Sequence, residues 1–310
     1  MDKEVLGTIL ALCTAVISGF AIPVNKIFVT GLDPGVFTAT RALIIGIVFL
    51  FLSFWQRRRR GFFGIGRGFR KFPRVSWKYL IAIGIIGGGL AFLFYFTGLK
   101  FTTAGRGAFL HKTLPIYIAV FAAIFLKEKI SRKHWYALLV MFIGTVLIYF
   151  TKIPPSVLWA HPSAGDLLII TATILWAAEN TIARKAMIKG ESNFVISFAR
   201  MFIGALVLFA FVILLGKINM LLALNPQQII NLLISTTILF GYIFTWYWAI
   251  KLINVSKAST LLLLAPVISL ILGVVWFSEP TPMLQLLGSA LILIGAWFVI
   301  RIRSEFTTGI

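Results

Sequence analysis

Apolar stretches of roughly 20 residues recur along this chain, each long enough to cross about 30 Å of hydrocarbon. They fall at approximately 5–27, 35–55, 79–99, 104–126, 134–151, 166–187, 194–215, 228–249, 257–277 and 283–301. In lipid every backbone polar group must be paired within the structure, so such a chain forms either helices or a closed barrel. Barrel strands are short and alternate polar with apolar; these stretches are long and continuously apolar. An all-α membrane protein of ten transmembrane helices is therefore predicted. Composition agrees: only 12% of the 310 residues are charged and 60% are hydrophobic, against about 25% charged in ordinary soluble domains. Met1–Glu4 is mixed in charge and the apolar stretch after it is too long for a signal-peptide core, so span one is expected to be an uncleaved first helix.

The spans are written twice. Residues 98–150 lie over 249–301 without a gap, pairing Lys100 with Lys251, Arg106 with Lys257, Pro115 with Pro266, Glu128 with Glu279 and Gly144 with Gly295. More weakly, Lys26 aligns with Lys185, Gly31 with Gly190 and Arg41 with Arg200. The expected organisation is a first five-helix repeat over 1–152, a Pro-rich connecting loop over 153–165 and a second five-helix repeat over 166–310. Orientation follows from Lys and Arg. With the N-terminus in the cytoplasm, twenty-one of the 29 cations fall on the cytoplasmic side, five on the opposite side and three within spans. Both termini are thus expected inside a cell membrane. Five spans is an odd number, so the second repeat enters from the opposite side and the repeats are inverted.

The net charge of +20 does not point to nucleic acid, because the cations sit in short segments between spans. Arg57–Arg60, opening a basic loop, are expected to touch anionic lipid headgroups. Three His and the single Cys13 offer no metal cluster, and no cofactor is expected. Cys13 reads as a small buried apolar residue.

Pro115 and Pro266 sit at matched positions about a dozen residues into spans four and nine, where each removes a backbone hydrogen bond and kinks its helix. Glu128 and Glu279 follow the ends of those spans and read as structural anchors, capping the following helix or pairing with nearby cations. Glu179 is the one carboxylate deep in a span. It reads either as a site for substrate ammonium or proton coupling, with Asn180 and Asn25 as neighbours, or as the partner of an intramembrane cation such as Arg41, Lys112 or Arg200. His111 and Lys112 align with Leu262 and Leu263 in the other repeat. This departure from symmetry reads as a subsite for an anionic group, or else as a lysine reaching for the interface. Arg41 and Arg200 read as a shared structural pair, and His134 as unremarkable. Among clustered aromatics, Tyr95 aligns with Trp246, and both are candidates to line a cavity. Gly84-x-x-x-Gly88 marks close helix packing, within a monomer or across a homodimer.

With these residues in view, the chain resembles the EamA-type members of the drug/metabolite transporter superfamily. The resemblance runs over nearly the whole chain. It rests on Pro115-Ile-Tyr, Leu126-Lys-Glu128-Lys-Ile and Gly144 in the first repeat, on Pro266-Val-Ile, Phe277-Ser-Glu279-Pro-Thr and Gly295 in the second, and on Arg41 and Arg200. Span one departs: Ser18-Gly19 stands where the family usually has Trp-Gly, and only the second copy has the Trp, at Trp176. The resemblance implies a secondary active transporter, an exporter of small metabolites such as amino acids, and not an enzyme. The expected site lies between spans one, three, four, six, eight and nine. Lys112 and His111 would hold an anionic group, Glu179, Asn180 and Asn25 a cationic or hydrogen-bonding one. Carriage of nucleobases, drugs or lipids, and a non-transport assembly role, are the alternatives.

Overall fold

The computed structural model describes residues 2–28, 32–62, 76–151, 163–278 and 280–304. Glu279, the side chains of Asn25, Arg57, Arg59 and Arg60, and most of the joint at 153–165 lie outside the described residues. The first half contributes α1 (Lys3–Phe28), α2 (Pro34–Phe62), α3 (Trp77–Gly98), α4 (Gly105–Phe125) and α5 (Arg132–Phe150). The second contributes α6 (Ala164–Ile188), α7 (Asn193–Leu214), α8 (Pro226–Leu252), α9 (Val255–Trp276) and α10 (Met283–Arg301). All ten are long and apolar enough to cross a membrane, and among the described residues there is no strand. The protein is an integral multi-pass membrane protein.

Helix starts are fixed locally. Ser163 with Asp166, and Asn225 with Gln228, form reciprocal caps at α6 and α8. Ser131, Thr103 and Ser192 cap α5, α4 and α7, and Asp33 accepts from the Gly35 and Val36 N–H groups at α2.

Several packing pairs recur when the halves are exchanged. Helix α1 packs against α8 and α9, and its counterpart α6 packs against α3 and α4. Helix α2 packs on α7, and α5 on α10. Each first helix is thus held by the other half. In lipid the helices gain little hydrophobic drive from one another, and close backbone approach takes its place. At the α5–α10 seam, a Cβ on Gly144 would lie 2.5 Å from the Gly288 carbonyl, and a Cβ on Gly288 2.5 Å from that of Gly144. Gly84 and Gly88 of α3 meet Ala199, Arg200 and Gly204 of α7, so this small-residue contact is made within one chain. Both helices widen to π-helical turns where they meet, Ile83–Leu90 and Ala199–Ile203.

Polar ties lie at both ends of the bundle. At the end holding the termini, the buried Lys257 ammonium donates to Glu4 Oε1 at 2.7 Å and to the Ile302 carbonyl at 2.7 Å. At the far end, Arg106, the counterpart of Lys257, pairs with Asp166 at 2.8 Å. Both ties join one half to the other. Cys13, expected to be buried, is exposed. It belongs to the face of α1 that carries Val5, Ile9 and Val16 outward, where lipid accepts a thiol as readily as a protein core does.

Candidate functional site

Two helices are interrupted near mid-membrane. Helix α4 runs as Ala104–His111, turns at Lys112 and Thr113, and resumes as Leu114–Phe125 with Pro115 in its first turn. Helix α9 tightens to a 3₁₀ turn at Leu262–Leu264 before resuming at Ala265 with Pro266. A ring without an N–H suits the start of a helix, so each proline sits where a new segment begins.

A cavity of about 250 Å³ lies between the halves. Its wall is drawn from α1 (Ser18, Ala21), α2 (Arg41), α3 (Phe92, Tyr95, Phe96), α4 (His111, Leu114), α6 (Trp176, Asn180), α7 (Arg200) and α8 (Ser235, Tyr242, Trp246 among others). The wall positions in α1 to α4 lie toward the end away from the termini, whereas Asn180, Arg200 and Trp246 lie in the half of their helices nearer the termini, so the cavity runs from below mid-bundle toward the far end. Helices α2 and α7 line it and α9 does not, against the expectation of spans one, three, four, six, eight and nine. The reason is packing: α9 lies directly on α1, and Ser269 Oγ donates to the Gly19 carbonyl at 2.7 Å, leaving no gap beside Pro266.

One buried polar network stands beside the cavity. Glu179 is fully buried and does not reach the wall. Its Oε2 lies 3.1 Å from Arg200 Nη1, and its Oε1 accepts from the Tyr247 hydroxyl at 2.5 Å. Arg200 also donates to the Tyr247 oxygen at 3.2 Å. Of the two readings of Glu179, the geometry displays the intramembrane partnership, with Arg200 as the cation. Asn180 is in the wall and is held rigidly: its Nδ2 donates to the Trp176 carbonyl at 2.8 Å, and its Oδ1 accepts from Trp246 Nε1 at 2.6 Å. Trp176 Nε1 in turn donates to the Gly87 carbonyl at 3.0 Å.

Tyr95, His111 and Trp246 all line the cavity. His111 packs edge-on against Trp176 at 4.8 Å and Tyr95 at 5.7 Å between ring centres, and its Nδ1 has no hydrogen-bond partner among the described residues. Lys112 lies in the turn beside it, half-buried and outside the wall. Asn25 cannot be placed, since its side chain lies outside the described residues.

Arg41, read from sequence as structural, is a wall residue. It donates from Nη1 to Ser235 Oγ at 2.7 Å and lies 4.1 Å over the Phe37 ring. Sequence reasoning missed Ser235, whose only signal was a hydroxyl within an apolar span, and it missed that the matched pair Arg41 and Arg200 faces the cavity.

Glu128 caps, but not the helix that follows it. Its two oxygens accept from the N–H groups of Val255 at 3.0 Å and Ser256 at 3.3 Å and from Ser256 Oγ at 2.7 Å, at the start of α9 in the other half. Glu279 lies outside the described residues. His134 is buried, with Nε2 3.0 Å from Thr260 Oγ1 on α9, a contact nothing in its sequence surroundings signalled.

The EamA-like transporter family matches residues 5–150 and 163–301. An uncharacterized transporter of Archaeoglobus fulgidus is 27% identical over 242 residues, covering 74% of this chain and 81% of that protein. The uncharacterized transporter YoaV of Bacillus subtilis is 26% identical over 299 residues, covering 95% of this chain and 96% of its own. A solved crystal structure shares the fold with a TM-score of 0.74 at 19% identity, over 94% of this chain and 96% of that one.

Proposed function

The chain belongs to the EamA-like transporter family, a family of transporters and not enzymes, and from that premise we propose that it is a secondary active exporter of small carboxylate-bearing metabolites, amino acids among them, working by alternating access. The observation that carries this reading is the position of the cavity. It lies between two halves that share several matched packing pairs, and it runs from mid-bundle toward one end only. Exchange of the halves would move it to the other end, which is what inverted repeats make possible.

With both termini cytoplasmic, the order that the cation count favours, the cavity belongs to the outer side and this is an outward-facing state. The inner side is then held by Glu128 on α9, by Lys257 on Glu4 and the Ile302 carbonyl, and by the Glu179–Arg200–Tyr247 network under the cavity floor. Conversion to the inward state must loosen that network. Glu179 is therefore the candidate for coupling export to protons, since its carboxylate is fully buried within a membrane-spanning helix. An assembly subunit would favour a dry, sealed interior, whereas this one holds a cavity with two arginines in its wall.

The test is efflux and uptake in proteoliposomes under an imposed pH gradient. Transport of at least one amino acid is expected, driven by the gradient, and Glu179→Gln should abolish the drive. If no amino acid is moved, the amino-acid assignment fails; if Glu179→Gln keeps the pH dependence, the coupling role fails.

A further inference from the structure

We infer that the cavity is an organic-anion subsite anchored by Arg41, and that the substrate is recognised by its carboxylate with no requirement for an ammonium group. The inference builds on the carrier reading above and names the substrate class of the same cavity.

Arg41 and Arg200 stand at matched positions of the two repeats, line the same cavity and are each more than nine-tenths buried. Their charges are answered differently. Arg200 has Glu179 at 3.1 Å and the Tyr247 hydroxyl at 3.2 Å. Arg41 has the Ser235 hydroxyl and the Phe37 ring, its Nε is without a hydrogen-bond partner, and no carboxylate among the described residues pairs with it. A cation held in a low-dielectric interior without an internal counter-charge calls for an anion from outside. A guanidinium offers a planar fork of donors that matches a carboxylate. Two further unpartnered nitrogens, His111 Nδ1 and Arg200 Nε, belong to side chains in the same wall.

The opposite charge has no such receptor. Among the described residues no carboxylate lines the cavity, because Glu179 is held behind the wall by Arg200 and Tyr247. The remainder of the substrate meets Tyr95, Trp176 and Trp246. A volume of about 250 Å³ restricts it to a small solute, below the usual range for drug-sized ligands. A zwitterion fits, but its ammonium is a passenger; a deaminated acid of the same skeleton fits equally well.

The test uses the full chain, purified in detergent, and the fluorescence of the cavity tryptophans. Three probes share one skeleton: 3-phenylpropanoate, phenylalanine and phenethylamine. The two acids are expected to bind within about threefold of each other and the amine at least about tenfold more weakly. Arg41→Gln should weaken both acids by roughly ten- to a hundredfold, the loss expected for charge-assisted hydrogen bonds, with Arg41→Lys between. Absence of binding by either acid overturns the inference, as does an amine that binds as well as the acids, or a folded Arg41→Gln that binds them unchanged. If Arg41→Gln does not fold, the probe series on the unaltered chain and His111→Gln decide, the latter being expected to weaken the acids and leave the amine. Running the probes in proteoliposomes separates the two readings. Binding of the acids without their transport sinks the carrier and leaves the subsite. Equal transport of acid and amine sinks the subsite and leaves the carrier.

Discussion

Glu179 and Arg200 form an ion pair in the interior of the bundle, and the pair couples stability to the cavity floor. Removing one partner of a buried pair strands the other, at a cost of about 3–5 kcal/mol, whereas replacing both with apolar residues is often close to neutral. Glu179→Ala should therefore lower the thermal midpoint sharply, and Glu179→Leu with Arg200→Met should recover most of the loss while abolishing transport. A double variant as unstable as the single would show that the pair is not the source of the effect. Asp33 offers a pH-dependent case outside the membrane. Its partial burial alone would raise the carboxyl, but the hydrogen bond from Lys217 and those from the Val36 and Gly35 N–H groups outweigh burial and hold it below its ordinary value of 3.8. A carboxyl depressed on folding contributes stability that is complete above that ordinary value and is lost as pH falls through the folded one. Acid titration of unfolding should show this loss, and Asp33→Asn should flatten that part of the profile; an unchanged slope would remove the Lys217 tie from the account. At this scale the sequence was legible wherever an ionisable group stood in an apolar span. It flagged Glu179, Arg41, Arg200 and His111, because such groups are costly there. Which of them pair, and which face a cavity, depends on neighbours some tens of residues away or more.

The elements repeat the lesson with backbones. Helices α3 and α7 approach so closely that a Cβ on Gly88 would lie 1.9 Å from the Arg200 carbonyl, and one on Gly204 2.5 Å from the Gly88 backbone. Gly88→Ala must push α7 away and carry Arg200 with it. A destabilisation of about 1–3 kcal/mol is expected from overpacking, with weakened substrate binding, read by thermal unfolding and tryptophan fluorescence. Unchanged binding would mean that α7 can shift without moving Arg200. Glu128 gives a second element-level test. Its carboxylate satisfies two N–H groups at the start of α9 and one hydroxyl. Glu128→Gln should cost about 1–2 kcal/mol, in line with loss of a strong cap. Hydrogen exchange at Val255 and Ser256 should rise with it, and exchange left as slow as before would deny the cap. The glycine motif and both prolines could be read in advance because each alters the backbone of its own helix. That Glu128 reaches across to the other half could not, because capping the next helix in the chain satisfied the local pattern equally well.

For the molecule as a whole, the question is which end the cavity serves. On the proposed orientation, with both termini cytoplasmic, Ser18 in the cavity wall would be reached from outside and Asn254, buried at the end with the termini, would not. In a Cys13→Ser background, Ser18→Cys should react with a membrane-impermeant thiol reagent added to intact cells, and Asn254→Cys should stay unmodified. Labelling of the second and not the first would reverse the orientation. The sequence by itself determined that ten helices cross a membrane, because hydrocarbon leaves a long apolar segment no other way to pair its backbone. It also indicated two related halves, because aligned residues persist in both. Only the tertiary structure decided that each first helix is held by the opposite half, that Arg41 and Arg200 meet across one cavity, and that Glu179 answers the second and leaves the first unanswered. Those are distances between side chains on different helices, set by how closely glycines let the helices approach, and no stretch of the chain carries them alone.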